Sequence, residues 1–486
     1  MRRALLLAVV VSLGAAQAGS TQPAASKRTA ALQARLASVP AGERLAALVF
    51  FRDKGGDLAE ARTQALRNLS GRALLRRERR GTARALGFED LPLAESYVRA
   101  VSERAARVRH ELRWLNALSV LATQQELSEI ESLPFVSSVD LVRSFRRGAP
   151  EPSQPLTGSA SGASRNDDVS EHSLNYGTAL GQVQQIGVPA LHDRGLHGEG
   201  VIVAVLDAGF DNLAHEVFAT TRILAMHDFV NGDGDVANGP DRGEGSHGTS
   251  TLSVLGGFKD GQLIGPAFAA SFLLAKTEDT SSETPVEEDN WAAAAEWAEA
   301  LGADVISSSL GYLDFDRGFT SYTFADMDGR TAISTRAAEL AAARGIVVVN
   351  SAGNSGLDAA HNTLGAPSDG AHVLAVAAVT VTGERSGFSS VGPSADGRVK
   401  PDVAAQGTAV KVAGSRAGQY NTSNGTSFSC PLTAGAVALV LQAHPDWSVD
   451  DVLSVLRRTA TNSQNPDRLL GYGIVDARAA VDATRP

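Results

Sequence analysis

An acid, an imidazole and a hydroxyl stand along this chain at positions where each can serve the others. Asp207 directly follows the apolar run VIVAVL of residues 201–206. His247 lies in Gly245-Ser246-His247-Gly248-Thr249-Ser250, and Ser427 in Asn424-Gly425-Thr426-Ser427-Phe428-Ser429-Cys430-Pro431. A serine hydroxyl is a poor nucleophile near neutral pH. It needs a base within hydrogen-bond reach, and the base needs an acceptor that fixes its tautomer and stabilises its charged form. Asn354, in Ser351-Ala352-Gly353-Asn354-Ser355-Gly356, adds an amide able to donate to an oxyanion. Singly, each has a plainer reading: a strand-end turn, a local hydrogen bonder, a helix N-cap, a turn asparagine beside glycine. Together, in the order Asp, His, Ser, they point to acyl transfer.

The elements that must position them are legible as pattern. Residues 201–206, 270–275, 304–308, 346–350 and 373–379 are short apolar runs, often β-branched, and 291–301 and 332–344 between them are helical in pattern. Continuous apolar strands alternating with helices predict an α/β fold, a doubly wound and mostly parallel sheet. Ligands on such sheets bind beyond the carboxyl ends of the strands, where Asp207 and Asn354 stand. Pro431 is expected in the first turn of a helix that continues through the apolar run 432–443. That puts Ser427 at a helix N-terminus, where partial positive charge favours a developing anion.

Ahead of this lies a different unit. Residues 45–51 (LAALVFF), 115–122 and 136–142 read as strands, 58–85 as an arginine-rich helical stretch, and Thr123 to Glu126 as a capping box. The segment 148–164 (GAPEPSQPLTGSASGAS) reads as an exposed linker. Met1-Arg2-Arg3, the apolar run 4–15 and Ala16-Gln17-Ala18 predict a signal peptide and export to the periplasm or the medium. That run is too short to span a bilayer, and no cysteine directly follows it, so no membrane anchor is expected. The boundaries expected are a signal over 1–18, a small α+β unit over 19–147, a linker over 148–174 and the α/β domain over 175–486.

Composition narrows the classes. The 486 residues allow two to four domains, and 43% apolar against 20% charged residues is ordinary for a globular chain. A net charge of −10 speaks against a nucleic-acid binder, and the single cysteine, Cys430, excludes an intramolecular disulfide. Residues 19–150 carry 22 Lys and Arg against 14 Asp and Glu, whereas 151–486 carry 20 against 40. The two parts should attract each other.

At this point the sequence resembles the subtilisin-like serine proteases, or subtilases. The match runs through LDAGF, SHGTS, SAGNSG and GTSFSCP, through VISSSLG at 305–311, GFSSVGP at 387–393 and GYGIVDA at 471–477. It covers about 175–483, and 45–143 resembles that family's inhibitory prosegment. The resemblance implies an Asp207-His247-Ser427 triad and an oxyanion site from Asn354 and the Ser427 N–H. It implies that Ser309, Leu310 and Gly311 pair with the substrate backbone and that Ala352, Gly353 and Gly365 shape the main specificity pocket. Substrates would be proteins or peptides, and the chain's own prosegment an intramolecular inhibitor. No cofactor is implied. Asn231, Asp233 and Asp235, alternating oxygen ligands in a glycine-containing turn, and Asp326 and Asp328 beside Gly329 offer two corners for a structural calcium, but a solvated acidic loop is the favoured reading of both. The acidic insert 278–289 falls where the family lines its cleft; Glu287, Glu288 and Asp289 there predict a preference for Lys or Arg on the acyl side of the scissile bond. Cys430 reads as a small buried hydrophobe.

Two other classes compete. A protease fold kept only for binding peptides would need none of the four polar residues together. An esterase or lipase of the α/β-hydrolase type would carry Gly-x-Ser-x-Gly and a different triad order, and residues 425–429 read Gly-Thr-Ser-Phe-Ser.

Overall fold

The computed structural model describes residues 26–82, 86–142, 154–155, 172–238, 246–279, 288–313 and 321–486. The signal segment and most of the linker fall outside the described residues.

The N-terminal unit begins with α1 (Ala30–Ser38) and β1 (Leu45–Phe51), followed by α2 (Leu58–Arg67), α3 (Gly71–Arg79) and α4 (Glu95–Ser102). It closes with β2 (Arg107–Leu112), β3 (Ala117–Ala122), α5 (Gln124–Glu131) and β4 (Val136–Leu141). The sheet is antiparallel in the order β2-β3-β1-β4. The expected helical stretch 58–85 is two helices, because the Ser70 side chain caps a new one by accepting from Ala73 N. The strand β2 is rich in polar residues, Arg107, Arg109 and His110 among them, and gave no apolar signal. Thr123 and Glu126 form the expected capping box.

A two-residue strand, β5 (Gln154–Pro155), links this unit to α6 (Leu180–Gln184) and α7 (Val188–His192). The central sheet then builds from β6 (Ile202–Asp207) and β7 (Arg222–Asp228). After α8 (Ser246–Gly256) and the short pair β8 (Phe258–Lys259) and β9 (Leu263–Ile264) come β10 (Ser271–Lys276), α9 (Glu288–Leu301) and β11 (Val305–Ser308). Next are α10 (Ile333–Ala342), β12 (Val347–Ser351), β13 (Val373–Val379) and β14 (Val403–Gln406). The hairpin of β15 (Val410–Ala413) and β16 (Tyr420–Ser423) leads into α11 (Thr426–Ala443), α12 (Val449–Thr459) and α13 (Ala477–Asp482).

Seven strands lie in the order β14-β13-β12-β11-β6-β10-β7, each pair parallel. The expected doubly wound sheet is therefore present, and the strand order reverses between β6 and β11, where a crevice opens at the carboxyl ends. Alternation along β6 assigns the two faces. Val203 and Val205 join the core shared with α8 and α11, whereas Ile202, Ala204 and Leu206 join the core under α9 and α10. The second core continues into the N-terminal unit through Ala46, Leu48, Leu112 and Trp114. Hence β1 is buried on both faces, with Leu45, Ala47, Val49 and Phe51 turned to its own helices. The helix α11 is long and apolar enough to cross a membrane, but it is buried as the core of this fold.

Candidate active site

The last residue of β6 is Asp207, wholly buried. Its Oδ1 lies 2.6 Å from His247 Nδ1 and accepts the Ala208 N–H at 2.7 Å, and its Oδ2 accepts from Thr251 Oγ1 at 2.9 Å. The carboxylate is thus held from both sides. His247 is the second residue of α8, and Thr251 lies four residues on, on the same helix face. That i,i+4 spacing was the available signal for Thr251, and the motif reading did not use it. The ring of His247 stands 6.0 Å from that of Phe428, the neighbour of Ser427.

Ser427 is the second residue of α11, whose N-cap is Gly425 at φ +146°, a value that favours glycine. Its N–H belongs to the first turn, where donors have no intrahelical partner. The one hydrogen bond described for its Oγ is long, 3.5 Å to Ser309 O. Pro431 departs from expectation. It stands in the second turn of α11 and removes the amide that would bond the Ser427 carbonyl. Ser309 Oγ donates to that carbonyl instead, at 2.8 Å, which is why the helix tolerates proline one turn further in.

Asn354 follows β12 on a turn. Its Oδ1 accepts from Thr426 N and Thr426 Oγ1, both at 2.9 Å, and Thr426 Oγ1 accepts from Gly353 N at 3.2 Å. Two donors on Oδ1 fix which end of the amide is which, and Nδ2 has no partner among the described residues. A β-carbon at Gly425 would stand 3.5 Å from Asn354 Nδ2 and 3.6 Å from Ser427 N. Glycine there keeps open the space between these two donors.

The six expected substrate-contacting residues cluster beside this site. The Leu310 carbonyl is taken by Asn350 Nδ2 at 2.9 Å and Ser351 Oγ at 3.3 Å. Gly311 is exposed, and its backbone has no partner among the described residues. Tyr312 and Ala366 exchange both backbone hydrogen bonds at 2.9 Å, and this brings Gly311 against Gly365. Gly365 N donates to Ala352 O at 3.2 Å and Ser390 N to Gly353 O at 2.9 Å.

The acidic insert is different from the expectation. Residues 280–287 lie outside the described residues. Glu288 and Asp289 are buried, not poised at a cleft edge. Glu288 accepts from Tyr322 and Ser334, and Asp289 from Arg109 and Ser119 of the N-terminal unit. Burial favours a neutral Asp289, but Arg109 and His110 outweigh it and hold the carboxyl below its ordinary range. The expected preference for basic substrates thus loses two of its three carboxylates, and the third, Glu287, lies outside the described residues.

The other acidic corners serve as turn acceptors. Asp233 accepts from Asp235 N, Asp235 from Ala237 N, Asp326 from Thr323, and Asp328 from Arg330 N and Thr331 N. Asp228, beside Asn231, is paired with the Lys276 ammonium at 3.0 Å. Among the described residues no three His, Cys, Asp or Glu converge to hold a metal ion. Cys430 is fully buried, with Sγ 3.4 Å from Ser308 O, and burial pushes its thiol up to about 12. It is a core residue, as expected.

Residues 198–473 match the subtilase family of peptidases, and 46–155 match a Peptidase S8 propeptide domain described for Bacteroidota. Subtilisin NAT of Bacillus subtilis subsp. natto is 28% identical over 400 residues, 81% of this chain and 89% of its own length. Subtilisin Savinase of Lederbergia lenta is 32% identical over 298 residues, 61% of this chain and 97% of its own. The structure of fervidolysin from Fervidobacterium pennivorans, a keratinolytic enzyme related to subtilisin, gives a TM-score of 0.63 at 22% identity. That match covers 92% of this chain and 62% of fervidolysin, and it speaks for the fold. The chain belongs to the subtilase family. It is a subtilisin-like serine peptidase with an N-terminal propeptide domain; its substrates are peptides, and it needs no organic cofactor.

Proposed function

We propose that the chain is a secreted endopeptidase, made as a precursor, in which Ser427, His247, Asp207 and Asn354 carry the reaction. Ser427 Oγ attacks the peptide carbonyl as its proton passes to His247 Nε2. Asp207 orients the ring through Nδ1 and stabilises the imidazolium. The carbonyl oxygen becomes an oxyanion held by Asn354 Nδ2 and the Ser427 N–H. His247 returns the proton to the leaving amine, and water then repeats the sequence on the acyl-enzyme. Ser309 and Gly311 pair with the substrate strand, and Ala352, Gly353 and Gly365 form the pocket floor and wall. The propeptide domain blocks the cleft and is cut off near the linker by the enzyme itself. Export rests on the leader at 1–18 and on the secreted habit of subtilisins.

The observation that carries this reading is the 2.6 Å contact between Asp207 and His247 beside the N-terminus of α11. Two tests separate a working serine from a peptide binder. A fluorophosphonate should label the wild type and not Ser427→Ala, and only the wild type should hydrolyse a peptide. Equal peptide turnover by Ser427→Ala would sink the assignment.

A further inference from the structure

The helix pair α2–α3 sits between β1 and α4, and α3 makes a contact that neither the triad nor the antiparallel sheet requires. Arg72, Arg76 and Arg80 recur at i, i+4 and i+8, so they form one stripe. This stripe lies across the ends of α9 and α10. Arg76 donates to Glu299 Oε1 and Ala303 O, both at 2.7 Å, and to Arg344 O at 3.2 Å. Arg80 donates to Asp304 Oδ1 at 2.9 Å and to Gly345 O at 2.6 Å. Arg72 pairs with Asp304 and donates to Gly302 O at 3.2 Å and Gly200 O at 2.5 Å. The side chains of Arg76 and Arg80 are 1% and 3% exposed, and that of Glu299 is fully buried.

Three features make this a built surface. Helix C-termini leave unpaired carbonyls and a partial negative charge, which suit guanidinium donors. Gly302 (φ +94°) directly follows α9, and Gly345 (φ +83°) stands three residues past the end of α10. A β-carbon at Gly302 would stand 2.9 Å from Arg72 Cβ, so glycine admits the α3 backbone. The contacted atoms all precede β6, β11 or β12, whereas Asp207 ends β6 and Ser309 and Asn354 follow β11 and β12. Strands of four to six residues separate the two ends by about 13–20 Å, so α3 grips the edge of the sheet opposite the cleft.

We propose that this base of the catalytic unit is a binding surface for an arginine-bearing helix, with α3 as its occupant in the intact chain. The contact, remote from the cleft, retains the N-terminal unit after the connecting chain is cut. Its buried ion pairs are little screened by salt. The retention does not depend on the triad, so it can be tested apart from the enzymatic reading.

The test uses the full chain with Ser427→Ala and an inserted recognition site for an unrelated protease, placed after Val142 in one version and within 157–164 in the other. The chain is immobilised by its C-terminus and cut, and departure of a label on the N-terminal unit is timed. The parent should retain the unit equally in both versions. Arg76→Ala/Arg80→Ala should release it at least 100-fold faster in both. Arg72→Ala, whose side chain is 38% exposed, should release it about 10-fold faster and decides the matter if the double variant does not fold. Release at the parental rate from the variants overturns the proposal. So does immediate release from the parent cut after Val142, which would make the tail the anchor.

Discussion

Pro431 and Ser309 are coupled through one carbonyl. Replacing Ser309 with alanine leaves the Ser427 carbonyl buried without its donor, which should cost about 1–3 kcal/mol in urea unfolding of the Ser427→Ala chain. The same substitution made with Pro431→Ala should cost less than half as much, because the new amide at 431 can take that carbonyl. An equal cost in both backgrounds would break the link. Asn354→Ala should lower kcat by about 10²–10³-fold and leave KM nearly unchanged, since its amide acts on the developing oxyanion; a rise in KM with kcat intact would argue for ground-state binding instead. Asp207, His247, Asn354 and Ser427 were all legible as residue types at strand and helix ends. The Ser309 contact was not, because sequence alone does not say which distant hydroxyl will reach a carbonyl that a proline has orphaned.

The helix α9 turns its acidic face to the N-terminal unit. Asp289 meets Arg109, Glu296 meets Arg113, and Glu299 meets Arg76, Arg77 and Arg113. Burial pushes the Glu296 carboxyl up from 4.5 to about 7, against the pull of Arg113, the Trp114 N–H and Lys54. A raised carboxyl favours the docked state while protonated, so its contribution is whole below about pH 4.5 and fades as pH climbs through about 7. Burial holds His110 down, despite Asp289 and Asn290, so its contribution runs the other way and fades as pH falls through its ordinary 6.5. Glu296→Gln mimics the protonated form. Relative to its parent, its urea midpoint should be unchanged near pH 5 and higher near pH 8; a pH-independent difference would contradict the shift. The parallel strands were readable because burial on both faces makes them continuously apolar. The strand β7 alternates with exposed residues and the polar β2 is only part-buried, so both were missed. Glu288 and Asp289 were misplaced because carboxylates in a run look solvated until distant partners, Tyr322 and Ser334 for the first and Arg109 for the second, are brought against them.

Across the whole molecule, the basic first part and the acidic second part meet as the charge division suggested. Long-range attraction acts on encounter and short-range buried pairs act on release. The Ser427→Ala chain should accumulate with its N-terminal unit uncut. Rebinding of a cleaved unit should slow as salt rises while its release rate changes little; a salt-sensitive release would mean that exposed charges hold it. The placement of the nucleophile has another consequence. Ser427 rides on α11, which is enclosed by β11–β14 and α8, whereas Asn354 sits on a surface turn. Segments open to solvent with free energies that range from near zero at turns to that of global unfolding in the core. The amides of α11 should therefore be among the last to exchange with deuterium. Heat should disable the attacking serine only when the domain itself comes apart, so inactivation and global melting should run at one rate.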